Sequence, residues 1–162
     1  MYENGVESPM ESLMPENTQE IFGLLTELWN TGNTKLVAQL YDDQATRTDP
    51  NLAEPARGAQ QIANFVAEVR KGFPDFKVEI KQRIGQEDQI VSEWTCTGTH
   101  DGDYQGIPPT HKRVQISGVT VTRIARGKIT EERVYFDRLE LLQQLGVAPG
   151  AVQGGAKSAG QH

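Results

Sequence analysis

Cysteine is nearly absent from this sequence. The 162-residue chain has one, Cys96, so no internal disulfide can form and the fold does not depend on an oxidising compartment. Concentrated positive charge is scarce too. Sixteen Lys and Arg face 22 Asp and Glu, for a net charge of -6, and basic residues nowhere cluster, which argues against nucleic acid and anionic bilayers as partners. No apolar run approaches the ~20 residues that span a bilayer, and Met1 to Pro15 carries acidic residues where a secretory leader carries basic ones. The expectation is a cytoplasmic protein that engages neither membrane nor nucleic acid.

What is present reads as one domain of ordinary size, large enough to bury a core without covalent staples. Residues 1–17 and the Gly/Ala-rich 147–162 have little to bury and are expected to be flexible. Ile21, Leu24, Leu25, Leu28 and Trp29 recur at helical spacing, with Thr18 placed to cap and Gly32 to stop the helix. A short helix over 34–41 follows. A short strand near 45–49 then leads into a loop holding Asp49, Pro50, Asn51 and Pro55, and a helix begins at Gly58.

After Pro74 the period changes from 3.6 to 2, giving strands over 76–81, 89–99, 113–126 and 128–136, with a tight turn at 125–127 and a closing helix from Leu139 to Leu145. Helices first and consecutive strands afterwards indicate an α+β domain on an antiparallel sheet.

The last strand is the most informative. Glu131, Arg133, Tyr135 and Asp137 share one face, and Glu132, Val134 and Phe136 the other. A carboxylate at the rim of an aromatic hollow is a usable general acid or base. Asp137 equally suits the N-cap of the last helix, and the two roles are compatible.

Five short motifs in order carry a resemblance: Gly98-Thr99-His100 with Gly102, then 104–110 (YQGIPPT), then Gly127-Lys128-Ile129 with Glu131, then Phe136-Asp137, and finally Gln144-Leu145-Gly146. Over 18–146 the chain resembles the SnoaL-like polyketide cyclase family of the nuclear transport factor 2-like superfold. The resemblance implies a cone-shaped, strongly curved antiparallel or mixed sheet wrapped around the N-terminal helices, a deep pocket and a homodimer. It also implies a small polyketide-like or polycarbonyl substrate closed by aldol-type acid/base chemistry, with no metal and no organic cofactor. Asp137 is then the acid/base and His100 the carbonyl partner, with Trp94, Tyr135, Arg133, Cys96, Trp29 and Asp49 as substrate contacts.

Strand period alone puts Val134 and Phe136 in the core and Arg133 outside. The resemblance instead turns the Arg133–Tyr135–Asp137 face to the pocket and packs the other face in the dimer. Arg133 and Glu131 are expected to pair. Cys96 reads as a small packing residue, with nothing basic nearby to make a thiolate. His111 stands where the family has a small residue, and His100, His111 and Asp101 or Asp103 match no metal-ligand spacing.

The last strand also resembles limonene-epoxide hydrolase. That enzyme's arginine and second aspartate, two residues apart on a neighbouring strand, align with Trp94 and Cys96 here, so an epoxide hydrolase would need a rearranged site, such as Asp137 with Asp49. A non-catalytic dimeric binding module on the same scaffold is the remaining alternative.

Overall fold

The computed structural model describes residues 17–147. The two terminal segments expected to be flexible lie outside the described residues, apart from Asn17 and Val147 at their inner ends. Helix α1 (Thr18–Thr31) buries Ile21, Phe22, Leu28 and Trp29 and stops where Gly32, at φ 75°, returns its N–H to the Leu28 carbonyl. A 3-10 turn (Thr34–Leu36) and the four-residue α2 (Val37–Leu40) lead directly into β1 (Tyr41–Thr48). The helix expected over 34–41 is therefore split into a 3-10 turn and a single α-helical turn, and β1 starts four residues earlier than the sequence suggested. Tyr41 is fully buried there, with its hydroxyl on Glu132.

The two-residue β2 (Ala56–Arg57) precedes α3 (Gly58–Gly72), which buries Ile62, Phe65, Val66 and Val69. Four strands follow: β3 (Lys77–Gln86), β4 (Gln89–Thr99), β5 (Arg113–Ala125) and β6 (Lys128–Tyr135). They end in α4 (Arg138–Leu145), which buries Leu141, Leu142 and Leu145.

The strands form one mixed sheet in the order β2-β1-β6-β5-β4-β3. The first long strand lies parallel to the last, and every other pairing is antiparallel. Register shifts at Lys81 of β3, between Ile80 and Gln82, and at Thr130 of β6, opposite Arg123 and Ile124, are bulges that bend a strand and raise its twist. The result is a curved, unclosed sheet with α1 and α3 packed against one side. The α+β class and the curved sheet around the N-terminal helices are as the sequence led one to expect.

On the inner face, pairing places Trp94 opposite Gly118. A Cβ at Gly118 would sit 2.6 Å from the Trp94 ring and 2.6 Å from the Tyr135 carbonyl oxygen. Only glycine lets the indole lie across the strand. The loop from 100 to 112 is held by a similar close approach: the N–H groups of Asp101 and Gly102 both donate to the Gly72 carbonyl, and Tyr104, 2% exposed, is pressed over the end of α3.

Candidate functional site

Between the inner face of the sheet and helices α1 and α3 lies a cavity of about 130 Å³, roughly ten times the space one water needs. Its walls are aromatic. Trp29 comes from α1, Phe65 from α3, Phe73 and Phe76 from the turn after α3, and Trp94 and Phe136 from the sheet side. Trp94 meets Phe136 edge-on, with ring centroids 6.2 Å apart, and its indole N–H donates to the Thr120 hydroxyl at 2.8 Å.

One part of the lining is ionic. Arg47 on β1 lies opposite Glu132 on β6 and donates to it at 3.0 Å, while its other terminal nitrogen donates to Asp49 at 3.0 Å. The Tyr41 hydroxyl donates to the same Glu132 oxygen at 2.6 Å. The guanidinium sits 5.0 Å from the Trp29 ring and 5.5 Å from the Phe65 ring, a cation–π arrangement that offsets part of its desolvation. Burial opposes the charge on Arg47, yet Glu132 and Asp49 hold its pKa above the usual guanidinium value. Burial and the Glu132 charge keep the Tyr41 phenol well above its ordinary range, so it remains a donor.

Asp49 is held in place. Its Oδ1 accepts the Asn51 N–H at 2.9 Å and its Oδ2 takes Arg47. The carboxylate is thereby fixed in the cavity wall with its orientation set by backbone and guanidinium together. Such preorganisation is what acid/base chemistry on a bound ligand requires.

Of the residues expected from sequence, Trp29, Asp49, Trp94 and Cys96 line this cavity. Asp137, His100, Tyr135 and Arg133 do not. The inner face of β6 carries Glu132 and Val134, with Phe136 just beyond it, so the facing implied by the resemblance is reversed and the plain strand period had it right. Tyr135 is 58% exposed. Arg133 and Glu131 do pair, at 3.9 Å, but away from the cavity.

Asp137 caps α4. Its Oδ1 accepts from the N–H of Leu139 at 2.9 Å and of Glu140 at 3.2 Å, and the residue is exposed. The physical reason is the chain's exit from the sheet: Asp137 follows Phe136 at the first helical N–H groups, which need an acceptor.

His100 is fully buried but stacks on Phe73, centroids 5.2 Å apart, with Nδ1 accepting the Thr110 N–H at 3.2 Å. It pins the 100–112 loop. Burial pushes its pKa below the ordinary histidine value, with Asp103 pulling the other way. A histidine with a lowered folded pKa binds fewer protons folded than unfolded, so its stabilising effect is complete above the unfolded pKa of about 6.5 and is lost as pH falls below it. The melting temperature should therefore drop between pH 7.5 and 5.5, and His100→Gln should flatten that slope. An unchanged slope in the variant would assign the acid sensitivity to other groups.

Burial pushes the Cys96 thiol up to about 12, which leaves it a packing group rather than a nucleophile at neutral pH. Among the described residues no group of His, Cys, Asp and Glu is arranged to hold a metal, and no helix is long and apolar enough to cross a membrane.

Sequence reasoning missed Arg47, Glu132 and Tyr41. A signal existed: Glu132 is the one charge on the Val134–Phe136 face, and Arg47 and Asp49 continue the inward period of Ala45. Opposite charges on the apolar faces of two strands are mutual partners or nothing.

Comparison with known proteins agrees with the fold. The chain is 29% identical over 130 residues to nogalonic acid methyl ester cyclase of Streptomyces nogalater, covering 75% of this chain and 92% of that one. It is 28% identical over 130 residues to aklanonic acid methyl ester cyclase DauD of Streptomyces sp. strain C5, covering 75% and 77%. Among solved structures, TsrD from Streptomyces laurentii superposes with a TM-score of 0.72 at 18% identity, over 80% of this chain and 95% of that one. A protein of ketosteroid isomerase-like fold from Catenulispora acidiphila gives 0.68 at 20% identity, over 80% and 94%. The sequence model of the SnoaL-like polyketide cyclases matches residues 19–145, and the chain belongs to that family.

Proposed function

We propose that this protein cyclises a hydrophobic polycarbonyl small molecule by acid/base chemistry inside the aromatic cavity, and that Asp49 rather than Asp137 carries the proton. The supporting observation is the Asp49–Arg47–Glu132 cluster in the cavity wall. Asp49 removes a proton from a carbon flanked by two carbonyls. The resulting enolate carbon forms a C–C bond to an acceptor carbonyl carbon, whose π pair becomes an alkoxide, and protonated Asp49 returns the proton to that oxygen. Arg47 stabilises the charge as it moves. That the two curated relatives are cyclases of methyl esters supports the substrate class.

The test is deuterium uptake at the activated methylene of an aromatic β-keto ester in D2O, followed by NMR. Asp49→Asn should abolish catalysed exchange. Asp137→Asn should leave it near wild type, because Asn is as good an N-cap as Asp. Exchange surviving in the first variant and lost in the second would return the acid/base role to Asp137.

A second reading has one observation in its favour. Asp49, Arg47 and Glu132 form a carboxylate–guanidinium–carboxylate set, which is the arrangement an epoxide-opening hydrolase needs, rebuilt from β1 and β6. Labelled water oxygen appearing in a diol product would move the assignment there.

The outer face of the sheet carries Ile84, Val91 and Tyr135, 48%, 38% and 58% exposed. It is the surface for a homodimer. Val91→Glu with Tyr135→Glu should give a monomer by sedimentation velocity where the wild type sediments as a dimer, and a monomeric wild type would remove the dimer from this reading.

A further inference from the structure

Five residues that line the cavity each carry a buried side-chain polar atom without a hydrogen-bond partner among the described residues: Arg47 Nε, Asn51 Oδ1, Ser92 Oγ, Tyr104 OH and Thr122 Oγ1. A buried polar group left unpaired costs free energy comparable to a lost hydrogen bond. Two of the five stand together. Ser92 and Thr122 are 2% and 0% exposed. Ser92 lies opposite Thr120 across β4 and β5, while Thr122 lies opposite Ile90 on one side and Glu132 on the other. The two hydroxyls are therefore on diagonally neighbouring residues of the inner face. The hydroxyl between them, Thr120, already accepts the Trp94 indole N–H.

The charge beside this pair sets which ligand group fits. Two carboxylates, Asp49 and Glu132, share one guanidinium, so this part of the wall is short of positive charge, and Glu132 is Thr122's direct cross-strand neighbour. A ligand carboxylate placed on the two hydroxyls would meet Glu132 in a desolvated setting where the Arg47 guanidinium is already outnumbered by two carboxylates. A ketone, ester or phenol oxygen meets no such penalty and takes a hydrogen bond from one hydroxyl or both.

We propose that Ser92 and Thr122 form a subsite for a neutral oxygen function of the substrate and that the adjacent carboxylates exclude a free carboxylic acid from it. The inference rests on the cavity being the substrate site. It concerns which oxygen group is admitted, not which residue moves the proton.

Three probes of matched shape separate the outcomes in NMR titrations of the full chain: acetophenone, ethylbenzene and benzoate. Acetophenone should bind the wild type about tenfold tighter than ethylbenzene, and benzoate weakest of the three. Ser92→Ala with Thr122→Val should bring acetophenone down to the ethylbenzene level while leaving ethylbenzene unchanged. The ligand-free double variant should also melt higher than wild type, because two unpaired buried hydroxyls have been removed.

Benzoate binding as tightly as acetophenone overturns the proposal, as does an absence of preference among the probes, including no binding by any. A lower melting temperature in the variant also overturns it, because it would assign the hydroxyls a structural role. No turnover is measured, so failure of the Asp49 chemistry and failure of this subsite are read independently.

Discussion

Asp49→Asn is expected to lower catalysed carbon-acid exchange by about two to four orders of magnitude, the range a positioned general base contributes. The substitution keeps the side chain's shape and one of its two hydrogen bonds. The amide oxygen still accepts the N–H of Asn51, which now reaches Asp49 Oδ1 at 2.9 Å, while the NH2 group replaces the oxygen that takes Arg47 and that bond is given up. Arg47 keeps its bond to Glu132 at 3.0 Å, so the cluster passes from two carboxylates per cation to a balanced pair. The fold should stand and ligand affinity should change little, which confines the loss to the chemical step and makes kcat fall without a matching rise in KM. A variant that loses affinity and rate together would instead describe Asp49 as a binding group.

Arg47→Met is expected to have the largest effect on stability. It strands the carboxylates of Glu132 and Asp49, whose side chains are 1% and 4% exposed, without their cation. Removing one partner of a buried pair costs about 3–5 kcal/mol, which for a domain of this size lowers the melting temperature by roughly 10 °C. The cation–π contacts to Trp29 and Phe65 go with it. The triple variant carrying Arg47→Met, Asp49→Asn and Glu132→Gln should recover much of that loss, since no buried charge remains uncompensated. Arg47→Met melting within about 2 °C of wild type would mean the carboxylates have found solvent or protons, and the cluster would not be the rigid device described above.

The order of elements was legible in the sequence because the change of period at Pro74 separates helices from strands. The helix α1 stop at Gly32 and the hairpin turn at 125–127 were legible for the same kind of local reason. The start of β1 was not. Tyr41 reads as the end of a helix until its hydroxyl is seen to need Glu132, 91 residues away.

The candidate site divides along the same line. Trp94 and Cys96 followed from the resemblance alone. The facing of β6 was lost when the resemblance was allowed to override a clean apolar alternation of Val134 and Phe136. The Arg47–Glu132 pairing was invisible because it joins two strands whose parallel pairing no local pattern announces. Asp137 shows the opposite case: its local signal as a helix cap was correct.

That parallel pairing bears on how the protein comes into being. Arg47 and Glu132 are 85 residues apart in sequence, and the strands that carry them are the first and last long strands of one sheet. Contacts of such separation form late, since the intervening chain must be ordered before they repay loop closure. On a ribosome, Arg47 and Asp49 emerge well before Glu132 and must wait, exposed to water, until nearly the whole domain has been made. The ionic wall of the cavity is thus assembled last, and a nascent chain truncated before β6 carries Arg47 and Asp49 without Glu132.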